Sequence, residues 1–150
     1  MGPLEGVRVI EMGQLIAGPF VGSRLADFGA EVIKVEPPGK GDPMRNWGKA
    51  FDGHSLWWSV IARNKKSVSI DLATDDGRDL IRALAAEADA IVENFRPGTL
   101  EKWGLGPEQL HEINPKLVMM SMSAFGAGSV VLWWFLGYCV SLAIKLISKA

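Results

Sequence analysis

Residues 4–36 read LEGVRVIEMGQLIAGPFVGSRLADFGAEVIKVE, and this stretch decides the fold. Val7–Glu11 is an apolar run of strand length, and Glu31–Val35 is a second one. Between them, Pro19 suits the first position of a helix because its missing N–H is not needed there. Gly29 is placed to end that helix near Phe28. The stretch therefore predicts one β-α-β unit with a right-handed crossover.

The same alternation of strand-length and helix-length segments continues toward residue 122. After a long loop from Gly39 to about Gly53, helices are predicted at Leu56–Ile61, from Asp75 or Asp76 onward, at Thr99–Trp103 and at Pro107–Glu112. Strands are predicted at Ser67–Leu72, Ala90–Glu93 and Leu117–Met122. Repeated alternation of this kind indicates an α/β protein with a mainly parallel sheet and helices on both faces.

Composition excludes several classes of protein. The chain has 150 residues with a formal net charge of −1, so it has no positive field to attract nucleic acid. Its hydrophobic content of 48% excludes wholesale disorder, and the single Cys139 excludes an internal disulfide framework. The first residues lack the basic and apolar segments of a signal peptide, so we expect a cytoplasmic protein.

The C-terminal segment differs from the rest of the chain. Residues 113–150 contain three lysines and no acidic residue, and Val130–Ile144 is free of charge. This apolar run falls short of the roughly 20 residues that a membrane span requires. Two interpretations stay open, a buried or interfacial helix and a marginal membrane segment that would give membrane contact. We therefore divide the chain into residues 1–126 and an atypical apolar tail at residues 127–150.

Ligands of open parallel sheets bind beyond the carboxyl ends of the strands, which directs attention to the loops at residues 13–19, 36–53, 93–98 and 122–128. The glycines of the first loop, Gly13, Gly18 and Gly22, do not have the G-x-G-x-x-G spacing of a dinucleotide-binding loop. Glu36 could bind an adenosine ribose, but the two prolines after it favour simple strand termination.

Two further segments allow both a binding and a structural interpretation. Asn94–Gly98 offers an amide, an aromatic ring and a cation at the start of a helix, which suits a phosphorylated adenine nucleotide but also an ordinary turn with Phe95 in the core. Arg63–Lys66 is a basic cluster ahead of a predicted strand, where it is either a solvated edge or a contact for pyrophosphate.

Metal and hydrolase chemistry find no support in the sequence. His54 and His111 are isolated from acidic or thiol partners at metal-ligand spacing, so no metal site is predicted. The sequence contains no G-x-S-x-G motif, and Cys139 lies in an apolar run where its thiol ionises poorly.

Five stretches follow one another in a fixed order along the chain: Leu4–Glu11, Ala17–Pro19, Leu25–Glu36, Arg63–Ser67 and Val92–Gly98. Taken together they resemble the family III CoA-transferases, which include formyl-CoA transferase, carnitine CoA-transferase and α-methylacyl-CoA racemase. The likeness covers about residues 4–126.

The resemblance implies a Rossmann-like large domain with coenzyme A lying along it, a small domain, and a homodimer of two interlocked subunits. It also implies the CoA-binding residues. The loop Leu15, Ile16 and Ala17 would approach the nucleotide and pantetheine, Pro37 and Ile70 would border the adenine, Asn94 and Phe95 would line the channel, and Lys102 and Trp103 would face the phosphates or adenine. Pro37 and Ala73 stand where some relatives place basic residues.

In the chemistry that the resemblance implies, an Asp attacks an acyl-CoA thioester, and CoA then passes through an enzyme thioester to a carboxylic acid. No acid within residues 1–112 takes the place of that nucleophile, and the likeness stops near Gly126. We therefore expect a chain truncated before its nucleophile, without the segments that the family's dimer needs, that binds CoA but does not turn over alone. The alternatives are a racemase-like fragment, a nicotinamide-dependent Rossmann enzyme and a non-catalytic membrane-associated protein.

Overall fold

A computed structural model describes residues 2–122. The strands are β1 (Arg8–Glu11), β2 (Glu31–Glu36), β3 (Ala50–Phe51), β4 (His54–Ser55), β5 (Lys65–Ser69), β6 (Ala90–Glu93) and β7 (Val118–Ser121). The helices are α1 (Ala17–Asp27), α2 (Leu56–Ile61), α3 (Asp75–Ala86), α4 (Thr99–Lys102) and α5 (Pro107–Ile113), with a 3₁₀ turn at Pro43–Asn46.

Five of the strands form one parallel sheet in the order β5-β2-β1-β6-β7. Strand β1 is central, with Glu11 opposite Lys34 of β2 on one side and Val92 of β6 on the other. Strands β3 and β4 form a separate antiparallel hairpin. The predicted α/β fold with a mainly parallel sheet is confirmed.

The sheet is covered on both faces because successive side chains of a strand point to opposite sides. Val9 packs with Val21, Leu25 and other residues of α1 on one face. Its neighbour Ile10 packs on the other face with a core built largely from α3, α4 and α5. The two covered faces explain why consecutive residues are apolar at Val9 and Ile10 of β1 and at Ala90–Val92 of β6.

Strand β5 lies earlier in the chain than predicted, at Lys65–Ser69 instead of Ser67–Leu72. Its register with β2 ends where Ser69 meets Glu36. The carboxylate of Asp71 then accepts a hydrogen bond from the Ala73 N–H, which turns the chain toward α3. The predicted strand boundaries are therefore wrong, and Lys65 belongs to the strand instead of preceding it.

Other boundaries follow the predictions more closely. Helix α1 begins at Ala17, two residues before Pro19, and ends at Asp27. The predicted loop between Gly39 and Gly53 contains the 3₁₀ turn and part of the β3–β4 hairpin.

Within residues 2–122, no helix combines the length and the apolar character that crossing a bilayer requires. The apolar run Val130–Ile144 lies outside the described residues.

Candidate functional site

All five parallel strands end at one edge of the sheet, called here the carboxyl edge. From β1 the chain moves outward to β2 and β5, whereas β6 and β7 lie on the other side of β1. The strand order therefore reverses between β1 and β6. The chain after β1 leads into α1 on one face of the sheet, and the chain after β6 leads into α4 on the other face. Such a switch point is where open α/β sheets bind ligands.

The loop after β1, residues 13–19, is tied to the loop after β6 by one side chain. The Asn94 Oδ1 atom accepts a hydrogen bond from the Gln14 N–H at 2.7 Å, and its Nδ2 donates to the Gln14 carbonyl at 2.9 Å. This reciprocal pair joins the two loops across the switch point. Asn94, selected from the sequence, is therefore a structural part of this edge whether or not it also touches a ligand.

Two glycines allow loop 13–19 to fold back on itself. A Cβ atom added to Gly13 would lie 2.8 Å from the Cα atom of Gly18, and one added to Gly18 would lie equally close to the Cα atom of Gly13. Side chains at either position would push the start of the loop away from the N-terminus of α1. The glycines thus serve close backbone approach, although their spacing is not that of a dinucleotide-binding loop.

Leu15 and Ile16 project from this loop as exposed apolar side chains. They are 42% and 43% exposed, and Leu15 has a φ of 62°, which leucine rarely adopts. The Leu15 N–H donates to the Asp42 Oδ1 atom at 3.1 Å, which helps to hold that conformation. A backbone held in a strained form with apolar groups facing outward is typical of a binding loop.

Behind this loop lies a charge cluster of four buried side chains: Glu11, Lys34, Asp42 and Lys65. The Lys34 Nζ atom contacts the Glu11 Oε1 atom at 2.9 Å and the Asp42 Oδ2 atom at 2.8 Å. The Lys65 Nζ atom contacts the Glu11 Oε2 atom at 2.6 Å. The formal charges of its two carboxylates and two ammonium groups cancel. Each side chain is at most 1% exposed, so the cluster is screened from water. Burial lowers the pKa of Lys65, and the Glu11 carboxylate opposes that shift.

Sequence reasoning missed this cluster. Glu11 and Lys34 interrupt apolar strands at positions that face each other in the parallel register, which is the signal that could have found them. Asp42 lies in the long loop after β2, and Lys65 was placed in a basic cluster ahead of the predicted strand, so neither could be placed against β1 from the pattern alone. The basic cluster Arg63–Lys66 is otherwise a paired surface, since Arg63 contacts Asp27 at 2.5 Å and Lys66 contacts Glu31 at 2.5 Å.

Glu36, at the end of β2, is engaged by protein groups. Burial would raise its pKa, but hydrogen bonds from Arg45, Ser67 and the Asp42 N–H outweigh burial and lower the pKa to about 2. Arg45 binds both carboxylate oxygens, at 2.7 and 2.8 Å, and stacks over the Trp58 ring. These contacts support the interpretation of Glu36 as a structural residue rather than a ribose-binding acid.

The residues predicted to border adenine follow β2 and β5 at the same edge. Pro37 is half-buried directly after β2, and the Ile70 N–H donates to the Glu36 carbonyl at 2.9 Å, which brings the two positions together. Ile70 is buried in the core beneath α3, so of this pair Pro37 offers more surface to a ligand.

Phe95 and Trp103 meet on the other side of the switch point. Their rings pack edge to face with centroids 5.4 Å apart, and both rest against the core. Beside them, a cleft of about 150 Å³ beyond β6 and β7 is lined by residues that include Phe95, Arg96, Leu100 and Met122. Lys102 is exposed at the end of α4. Phe95 thus belongs partly to the core and partly to the cleft.

Within residues 2–122, no group of His, Cys, Asp and Glu side chains could hold a metal ion.

Most of the predicted CoA-binding positions therefore form a row along the carboxyl edge, whereas Lys102 lies at the end of α4. Following the strand order, the row runs from Ile70 and Pro37 through the loop after β1 to Asn94, Phe95 and Trp103. Residues 4–133 match the family model described as CoA-transferase family III. The chain belongs to this family.

Curated relatives of the family carry related names. Over 125 residues the chain is 62% identical to succinyl-CoA–D-citramalate CoA-transferase of Chloroflexus aurantiacus, an alignment covering 83% of the chain and 31% of the relative. It is 44% identical to human succinyl-CoA:glutarate CoA-transferase, covering 83% of the chain and 28% of the relative. The chain thus spans about a third of the length of the curated relatives that it matches.

Solved structures agree with the fold and the family. A CaiB/BaiF family protein from Brucella suis matches with a TM-score of 0.78 and 43% identity, over 85% of this chain and 35% of that chain. FabI from Alistipes finegoldii matches with a TM-score of 0.52 and 12% identity, which shows a shared fold alone.

Proposed function

We propose that this chain forms the CoA-binding front of a family III CoA-transferase, an enzyme that moves CoA between an acyl-CoA and a carboxylic acid. The observation that carries the proposal is the Asn94 link between the loops of β1 and β6. It holds exposed Leu15 and Ile16 at the switch point of a fold that belongs to this family. The adjacent row of predicted positions gives an extended ligand a continuous path.

Each part of CoA has a chemically suited partner along this path. Leu15, Ile16 and Ala17 offer apolar contact to the pantetheine chain. Pro37, with the edge of Ile70, offers a surface for the adenine. Lys102 is exposed at the end of α4 and offers a cation to the phosphates.

The proposed reaction is covalent carboxylate catalysis. The carboxylate of an enzyme Asp attacks the thioester carbonyl, which forms a mixed anhydride and releases CoA thiolate. The thiolate attacks the enzyme's carbonyl, which frees the original acid and leaves an enzyme thioester, and the acceptor acid then takes the CoA through a second anhydride. We assign none of residues 2–122 as that nucleophile. Since the relatives above are named for succinyl-CoA, we propose succinyl-CoA as the donor of the complete enzyme.

Calorimetry with the 150-residue chain tests CoA binding directly. We expect saturable binding of CoA and weaker or no binding of NAD. Asn94→Ala should weaken CoA binding by about tenfold, since about 1.4 kcal/mol is lost when loop 13–19 is released.

Asn114→Ala is the matched control. Like Asn94, Asn114 ties two segments of backbone together through its side-chain amide. It donates to the carbonyls of Ala85 and Ala88, which lie before β6, at the opposite edge of the sheet. It should change the CoA dissociation constant by less than about twofold. Failure of the folded wild-type chain to bind CoA, or tighter binding of NAD, would contradict the proposed function.

A further inference from the structure

We infer that the charge cluster of Glu11, Lys34, Asp42 and Lys65 is a positioning device that sets the conformation of loop 13–19 for its ligand. A test of this inference by CoA affinity rests on the proposed function, whereas a test by amide hydrogen exchange in the loop does not.

Three members of the cluster bind the backbone of this loop directly. The Lys34 Nζ atom donates to the Gly13 carbonyl at 2.8 Å, and the Lys65 Nζ atom donates to the Pro19 carbonyl at 2.6 Å. The Asp42 Oδ1 atom accepts from the Leu15 N–H. The loop is thus held at its beginning, at its strained residue and at its entry into α1.

Glu11 connects the two lysines and keeps them in place. Its Oε1 atom contacts Lys34 and its Oε2 atom contacts Lys65, so one carboxylate sets the position of both ammonium groups. Gly22 of α1 leaves room for this carboxylate, because a Cβ atom there would collide with the Glu11 Oε2 atom. The cluster is therefore built into the contact between β1 and α1.

Stability alone is a poor reason for four buried charges. Removing charged groups from water is costly, and well-packed apolar side chains often stabilise a fold equally well or better. Aliphatic side chains at these positions could fill the same space, but they could not bind two carbonyl oxygens and one N–H of loop 13–19. The specific contribution of the charges is therefore the conformation of that loop.

Two double variants test the inference while keeping the cluster neutral. Lys34→Met with Asp42→Asn removes the contact to Gly13, and Glu11→Gln with Lys65→Met removes the contact to Pro19. We expect each pair to speed amide hydrogen exchange of Gln14 and Leu15 by at least about tenfold, leaving the β1 and β6 amides within about threefold of wild type. CoA affinity should fall by about fivefold or more.

Lys66→Met is the matched control, because Lys66 neighbours Lys65 in β5 and also pairs with a glutamate, but at the exposed surface. It should leave the amide exchange of Gln14 and Leu15 unchanged. A purely structural role for the cluster predicts that exchange rises equally in the loop and in β1 and β6, and that result would overturn the inference.

The unmodified chain provides a test that does not depend on the variants folding. Its Leu15 amide, which donates to Asp42 of the cluster, should exchange at least about a hundredfold more slowly than in an unstructured peptide. Exchange within tenfold of the peptide rate would show that the loop is not held and would overturn the inference. If the wild type fails to bind CoA while its loop is protected, the proposed function fails and the positioning role stands.

Discussion

Gly22 shows how one residue governs the contact between α1 and the charge cluster. In an exposed helix interior, replacing glycine by alanine stabilises the fold by about 1 kcal/mol. Here the added Cβ atom would collide with the Glu11 carboxylate, which is held by two buried lysines and cannot move freely. We expect Gly22→Ala to lower the free energy of unfolding by roughly 1–3 kcal/mol, as overpacking does. Urea denaturation measures this, and a gain in stability would contradict the geometry.

Glu36 makes the free energy of unfolding depend on pH in the acidic range. Its pKa of about 2 lies below the ordinary value of 4.5, so its stabilising effect is complete above pH 4.5 and is lost as pH falls toward 2. We expect Glu36→Gln to be less stable than wild type at pH 7 and to lose less stability between pH 5 and pH 2. Glu31, whose pKa is also lowered to about 2 by Lys66 and Arg8, remains, so the slope shrinks without vanishing. Equal slopes for wild type and variant in acid-range urea titrations would refute this role.

At the scale of elements, helix α3 depends on its N-cap. The Thr74 hydroxyl accepts a hydrogen bond from the Gly77 N–H, and Asp75 and Asp76 place negative charge in the first turn. Thr74→Ala should cost about 1 kcal/mol of unfolding free energy, while Thr74→Ser should retain most of it. Thermal unfolding of the two variants measures the difference. If both lose the same stability, packing of the threonine methyl group is responsible instead of the cap.

At the scale of the whole molecule, CoA binding should couple to global stability. The proposed ligand contacts loops after β1, β2 and β6, which are joined through one sheet with a core on each face. A ligand that binds only the folded chain adds about 2.7 kcal/mol of stability at a concentration a hundredfold above its dissociation constant. We expect CoA to raise the melting temperature in a concentration-dependent manner and NAD to leave it unchanged. The reverse order would favour the nicotinamide-dependent alternative.

Much of the fold follows from the sequence, because its signals are local. The β-α-β unit of residues 4–36 could be predicted from two apolar runs, Pro19 and Gly29, and helix α2 was placed at Leu56–Ile61, where the structure has it. The position of Asn94 at the same edge of the sheet as the loop after β1 could also be predicted, since parallel strands end at a common edge. The start of β5 could not be predicted, because pairing with β2 sets that boundary.

By itself the sequence determined the fold class, the order of the elements and, through its motifs, the family to which the chain belongs. These depend on apolar periodicity and turn residues, which act over a few neighbouring positions. Only the tertiary structure decided that Glu11, Lys34, Asp42 and Lys65 meet behind the binding loop. Their partners are distant in the chain, and a charged side chain is buried at low cost only when the folded chain brings its counter-charge into contact.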